Sequence, residues 1–100
     1  EPVMLTAGVQ ALPQEYLEGL RALCDETGVI LIFDEIVTGF GRLGSWFAAE
    51  QADVWPDILV VGKGLTSGYA PLSAVLLTER IADAFWGEAT AVTDQYHQYV

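Results

Sequence analysis

Apolar and polar positions divide the chain into alternating helical and extended stretches. Between Gln14 and Thr27, Tyr16, Leu17, Leu20, Leu23 and Cys24 recur at helical spacing, with Pro13 suited to the first turn and Gly28 as a C-terminal stop. Val29-Ile30-Leu31-Ile32-Phe33 follows, an apolar run short enough for a buried strand, and it stops at Asp34-Glu35. Gly39-Phe40-Gly41-Arg42-Leu43-Gly44 places three glycines in six residues, a loop able to approach a ligand closely. Ser45 is positioned to cap a short helix over Trp46 to Gln51. Trp55-Pro56-Asp57 turns into a second buried run, Ile58 to Val61, which stops at Gly62-Lys63-Gly64. After another glycine-punctuated loop to Pro71 comes a third apolar run, Leu72 to Thr78. Ile81, Ala84, Phe85 and Trp86 then predict a short amphipathic helix closed by Gly87. Gly8 to Pro13 reads as a loop, and from Glu88 onward no element is predicted.

This order of elements predicts a single α/β unit, without repeat, linker or low-complexity tract. A content of 52% hydrophobic residues in 100 places the chain among folded proteins. The absence of an initiator methionine and of any terminal cap suggests an interior segment of a longer enzyme. No stretch approaches the roughly 18 apolar residues of a membrane span and there is no leader pattern, so a cytoplasmic location without membrane contact is expected. Fourteen acidic residues against four basic ones give a net charge of −10, which disfavours nucleic acid as a partner. The single cysteine, Cys24, rules out an internal disulfide framework and a multi-cysteine metal site, and its helical spacing makes it a buried structural thiol. No metal site is expected.

Each of the first two apolar runs delivers an ionisable group where its hydrophobicity ends. In an open α/β sheet the crevice beyond the strand carboxyl ends is where ligands bind, so Asp34 and Lys63 would face one crevice. A carboxylate and an amine together suit pyridoxal phosphate: the first keeps a pyridinium nitrogen protonated, the second forms an imine and then shuttles a proton. Taken singly, Asp34-Glu35 also reads as a helix start and Lys63 as a solvated loop lysine. Leu31-Ile32-Phe33-Asp34-Glu35 also looks like the Walker B strand of a P-loop ATPase. A Walker A motif is missing, however, because Gly64 stands where Ser or Thr would follow the lysine.

The stretch Leu31 to Gly44 (LIFDEIVTGFGRLG), with Pro56-Asp57-Ile58 and Gly62 to Ala74 (GKGLTSGYAPLSA), resembles the signature of the class III, or omega, aminotransferases. Glu1-Pro2-Val3 resembles the segment that precedes it in that family, so the likeness covers nearly the whole chain to about Glu88. The resemblance implies a fragment of the fold type I large domain, a mostly parallel sheet flanked by helices. It implies pyridoxal 5'-phosphate held as a Schiff base by Lys63, with Asp34 on the pyridine nitrogen, 29 residues earlier. Ile36 would pack on one face of the ring, where the pattern alone reads it as core. It further implies transfer of an amino group from an omega-amino acid or amine to a 2-oxo acid such as pyruvate, in a homodimer with shared active sites. Aminomutases and decarboxylases on the same framework use the same Asp and Lys and remain alternatives, as does an inactivated homologue.

Two departures narrow the branch. Thr6 stands where ornithine and 4-aminobutyrate aminotransferases carry a glutamate for the substrate arginine, and Val37 where they carry a glutamine for the cofactor's phenolic oxygen. Their absence favours the amine:pyruvate or beta-alanine:pyruvate type. Phosphate-binding residues and the substrate arginine are expected outside this segment, so the hundred residues alone should be inactive. Glu35 is expected only to fix its loop. Arg42 is read either as an anion contact or as a structural salt bridge, and Tyr69 as core or interface unless it approaches the site. Trp46, Phe47, Trp55, Phe85 and Trp86 are read as core and dimer surface, and His97 as structural.

Overall fold

The computed structural model describes residues 1–86. Its elements are β1 (Val3–Met4), β2 (Gln10–Ala11), α1 (Gln14–Thr27), β3 (Ile32–Glu35), α2 (Ala48–Ala52), β4 (Ile58–Val61), β5 (Ala74–Leu77) and α3 (Glu79–Trp86), with one 3-10 turn over Lys63–Leu65. The fold is α/β, as the pattern predicts. Helix α1 has the expected bounds, and Gly28 ends it in the left-handed region at φ +73°. Pro13 takes the cap position, its carbonyl accepting from the N–H groups of Tyr16 and Leu17.

The main sheet has the order β3-β4-β5. β3 and β4 run parallel, pairing Asp34 with Val60 and Glu35 with Val61, while β5 returns antiparallel to β4. Side chains alternate between the two faces. Phe33, Leu59 and Val61 lie on one face and pack with Leu17 and Cys24 of α1 and Ala49 and Ala52 of α2. The other face carries Ile32, Val75 and Leu77, all exposed among the described residues. The expectation of buried strands therefore holds on one face among the described residues, and Val29 and Ile30 lie outside β3.

Three further expectations change. Gly8 to Pro13 is not wholly a loop, because Gln10–Ala11 pairs antiparallel with Val3–Met4. The short helix begins at Ala48, not Trp46, and Ser45 does not cap it: the Ser45 hydroxyl donates to the Phe47 carbonyl. The third apolar run is a strand only over Ala74–Leu77. Trp46, Trp55 and Phe85 are exposed here and do not belong to this core, whereas Phe47 is half-buried. Gly87 and His97 lie outside the described residues. No described helix is long and apolar enough to cross a membrane.

One carboxylate ties the layers together. Asp57, buried at the start of β4, accepts from the Leu31 N–H at 2.9 Å, from Arg21 of α1 at 3.0 Å and from Arg80 of α3 at 2.9 Å. Its own N–H donates to the Leu31 carbonyl. The Leu31 N–H, followed by the two arginines, holds the Asp57 carboxyl down at about 2.

Candidate active site

Because β3 and β4 are parallel neighbours, both release their chains at the same edge of the sheet. Asp34 and Glu35 are consecutive in β3 and point to opposite faces. Asp34 is half-buried, and its Oδ1 accepts the Ile36 N–H at 3.0 Å, a tight local turn that orients the carboxylate. Glu35 is 0% exposed. Its Oε2 accepts from Thr38 Oγ1 at 2.9 Å and from the Ala48 N–H at 2.6 Å, and its Oε1 accepts from the Ala49 N–H at 2.9 Å. A group enclosed by three donors cannot face a nucleotide or polarise a water, which removes the Walker B reading of this strand.

On the neighbouring strand, Lys63 follows Val61 by two residues and opens the 3-10 turn, exposed and at φ +33°. It lines a cleft of about 570 Å³ with Phe40, Arg42, Gly64 and Ser67 among the walls. Of five non-glycine residues with positive φ among those described, Phe40, Lys63 and Ser67 lie on this cleft. Backbone held in sparsely populated conformations tends to gather at ligand sites. Gly64 is required by contact: a Cβ there would stand 2.8 Å from the Phe40 Cβ. The Phe40 ring in turn meets Phe47 edge to face at 5.5 Å.

Asp34 and Ile36 do not line the cleft. Ile36 is linked to the lysine loop through Gly62, where an added methyl group would lie 3.4 Å from Ile36 Cγ2. Arg42 does wall the cleft, yet its contact among the described residues is neither anion nor salt bridge: Nε donates to the Val37 carbonyl at 2.6 Å. Tyr69 is 95% exposed and is neither core nor cleft. Thr6 is exposed in the bend between β1 and β2.

The donor set fits pyridoxal phosphate. There is one carboxylate with its second oxygen uncommitted among the described contacts, one amine on an open cleft, and one branched apolar side chain, Ile36, beside Gly62 of the lysine loop. Among the described residues there is no cluster of metal-ligating side chains. The residues that sequence reasoning undervalued are Glu35 and Asp57. Thr38, three positions after Glu35, was the available signal for the first; Asp57 shows within the Pro56-Asp57-Ile58 part of the family signature, but nothing local gives it a role beyond a turn residue.

Comparison with known proteins shows the family. The family model described as "Aminotransferase class-III" matches residues 1–93. An omega-aminotransferase of Caulobacter vibrioides is 46% identical over 99% of this chain and 23% of its own length. An adenosylmethionine-8-amino-7-oxononanoate aminotransferase of Anoxybacillus flavithermus is 46% identical over 90% of the chain and 20% of its own. A beta-alanine–pyruvate aminotransferase of Pseudomonas aeruginosa is 44% identical over 89% and 20%. Among solved structures, taurine:2-oxoglutarate aminotransferase from Bifidobacterium kashiwanohense, in complex with PLP and glutamate, superposes with a TM-score of 0.84 at 44% identity, covering 89% of this chain and 20% of that one. The chain thus spans about a fifth of the length of these relatives. With a family match over nearly its whole length and a site to suit, the chain belongs to the class III aminotransferases, a family dependent on pyridoxal phosphate.

Proposed function

We propose that this chain is an interior segment of the cofactor-binding large domain of a longer aminotransferase, and that it contributes Lys63, Asp34 and Ile36 to the cofactor site. The observation that carries the reading is the delivery of Asp34 and Lys63 to one edge of the sheet by two paired parallel strands. Bound there, pyridoxal phosphate supplies the electron sink for a carbon that loses its proton. Asp34, with Oδ1 held by the Ile36 N–H, offers its carboxylate to the protonated ring nitrogen. With the cofactor bound, Lys63 Nζ would hold its aldehyde carbon and, freed by a donor amine, would carry a proton from the substrate carbon to the cofactor. Ile36 would pack against one face of the ring.

The finer reading is transfer from an omega-amino acid or amine to a 2-oxo acid such as pyruvate. Thr6 and Val37 support it, as they replace the glutamate and glutamine of the ornithine and 4-aminobutyrate branch, and so does the likeness to the omega and beta-alanine relatives. A second substrate class has a specific observation behind it, the equal 46% identity to the adenosylmethionine-8-amino-7-oxononanoate aminotransferase. The same reading includes a cytoplasmic homodimer with shared active sites.

The test is the absorbance spectrum of the full-length protein after loading with pyridoxal phosphate and desalting, for wild type and Lys63→Ala. The wild type is expected to keep a visible band that borohydride fixes covalently to the peptide containing Lys63, and the variant to lack that adduct. Absence of the adduct in the wild type would overturn the reading. A panel of amine donors with pyruvate, 2-oxoglutarate or an adenosylmethionine donor then separates the substrate classes.

A further inference from the structure

We propose that Glu35 is a positioning residue of the cofactor site: it never faces the cleft, yet it holds the turn that aims Asp34 and Ile36 and seats the lysine loop. The inference rests on the functional reading above. Glu35 is fully enclosed, and all three groups that meet its carboxylate are donors. A buried anion matched so completely accepts no substitute without leaving a donor unpaired.

Capping a five-residue helix does not by itself explain this arrangement. A Ser or Asp at Phe47, the cap position of α2, would do that locally. Instead the acceptor comes from β3, thirteen residues upstream and adjacent to Asp34. The turn after β3 is thereby held at three points. Asp34 takes the Ile36 N–H, the Glu35 carboxylate takes the Thr38 hydroxyl, and the Glu35 carbonyl takes the Gly39 N–H at 3.0 Å. Since Asp34 Oδ1 is anchored on the Ile36 N–H, the direction of its other oxygen follows the position of this turn.

The restraint extends to the lysine. Gly39 leads to Phe40, whose N–H donates to the Trp46 carbonyl at 2.6 Å and whose ring rests on Phe47, the residue before the capped Ala48. Phe40 also abuts Gly64, next to Lys63. Glu35, Ala48, Phe47, Phe40 and Gly64 therefore form one continuous set of contacts running from beside Asp34 to beside Lys63.

The experiment uses the full-length protein loaded with pyridoxal phosphate, as wild type, Glu35→Gln and Thr38→Val. Thr38→Val keeps the charge and shape and removes a single hydrogen bond, so it separates geometry from electrostatics and serves if Glu35→Gln does not fold. The readouts are the induced circular dichroism of the bound cofactor, which follows its orientation, and its release rate, with apoprotein melting alongside. Each folded variant is expected to release cofactor roughly tenfold faster than wild type and to lose induced dichroism. Variants that melt earlier but match the wild type in both cofactor readouts would make Glu35 structural only and overturn the proposal. An effect of Glu35→Gln without one from Thr38→Val would assign it to charge and overturn it equally. A wild type that holds no Lys63-dependent cofactor would instead defeat the functional reading, and this inference with it.

Discussion

Gly64 lies so close beneath Phe40 that a Cβ built on it would come within 2.8 Å of the Phe40 Cβ, and within 3.4 Å of the Gly39 carbonyl. Neither neighbour is the free end of a flexible side chain, so the loop carrying Lys63 must move to admit even a methyl group. Gly64→Ala is expected to destabilise the protein by about 1–3 kcal/mol, the usual range for overpacking. Phe40→Gly removes the opposing Cβ at a position whose φ of +60° already favours glycine. A double-mutant cycle by urea denaturation should therefore show Gly64→Ala costing clearly less in the Phe40→Gly background. Additive effects would mean that the contact is not the cause.

Asp57 makes stability depend on acid in a defined window. Its folded carboxyl sits at about 2, below the ordinary value of 3.8, because the Leu31 N–H, Arg80 and Arg21 favour the ionised form. A lowered carboxyl contributes stability that is complete above the unfolded value and is lost as pH falls through the folded one. Denaturation followed from pH 6 to pH 2 should show Asp57→Asn less stable than wild type by a constant amount above about pH 4. The gap should then close toward pH 2; a gap independent of pH would show that the ion pairs are not responsible.

What was legible in the chain was what neighbouring residues decide among themselves. Helix α1 and its Gly28 stop depend on spacing within fourteen residues, and the runs ending at Asp34 and Lys63 show as hydrophobic blocks. The proposed cofactor contacts Asp34 and Lys63 were readable for the same reason, each lying at the polar end of such a block, whereas the pattern alone reads Ile36 as core and its role came only from the family resemblance. What escaped was decided at a distance. The strand Gln10–Ala11 is two residues long and is defined only by its partner. Helix α2 draws its cap from Glu35, so Ser45, a plausible local cap, is used elsewhere. Asp57 passes for a turn residue until Arg21 and Arg80 arrive from helices 36 positions before and 23 after it.

Gly28 isolates a purely conformational cost. Its φ is +73°, and a Cβ there would meet nothing within 4 Å, so no packing accompanies a substitution. Gly28→Ala should destabilise by about 1 kcal/mol, the penalty for an L-residue in the left-handed region, and Gly28→Asn by less. Catalytic constants should not change. Denaturation midpoints of the two variants, measured together, check both the size and the order; equal stability of alanine and wild type would show that the chain ends α1 differently.

Under the proposed function Asp34 has two separable tasks, and two substitutions divide them. Its Oδ1 anchors the Ile36 N–H, which an asparagine carbonyl can also do, while the negative charge that favours a protonated ring nitrogen belongs to the carboxylate alone. Asp34→Asn should therefore melt like wild type and keep its cofactor, yet transfer the amino group roughly 100-fold more slowly or worse, the scale lost when a preorganised electrostatic contact is removed. Asp34→Ala gives up the anchor as well and should also melt earlier, with faster cofactor release. The discriminating measurement is the single-turnover half-reaction with an amine donor, in which cofactor conversion is followed by absorbance and product release plays no part. An asparagine variant as fast as wild type in that reaction would remove Asp34 from the chemistry and leave it as a turn-forming residue.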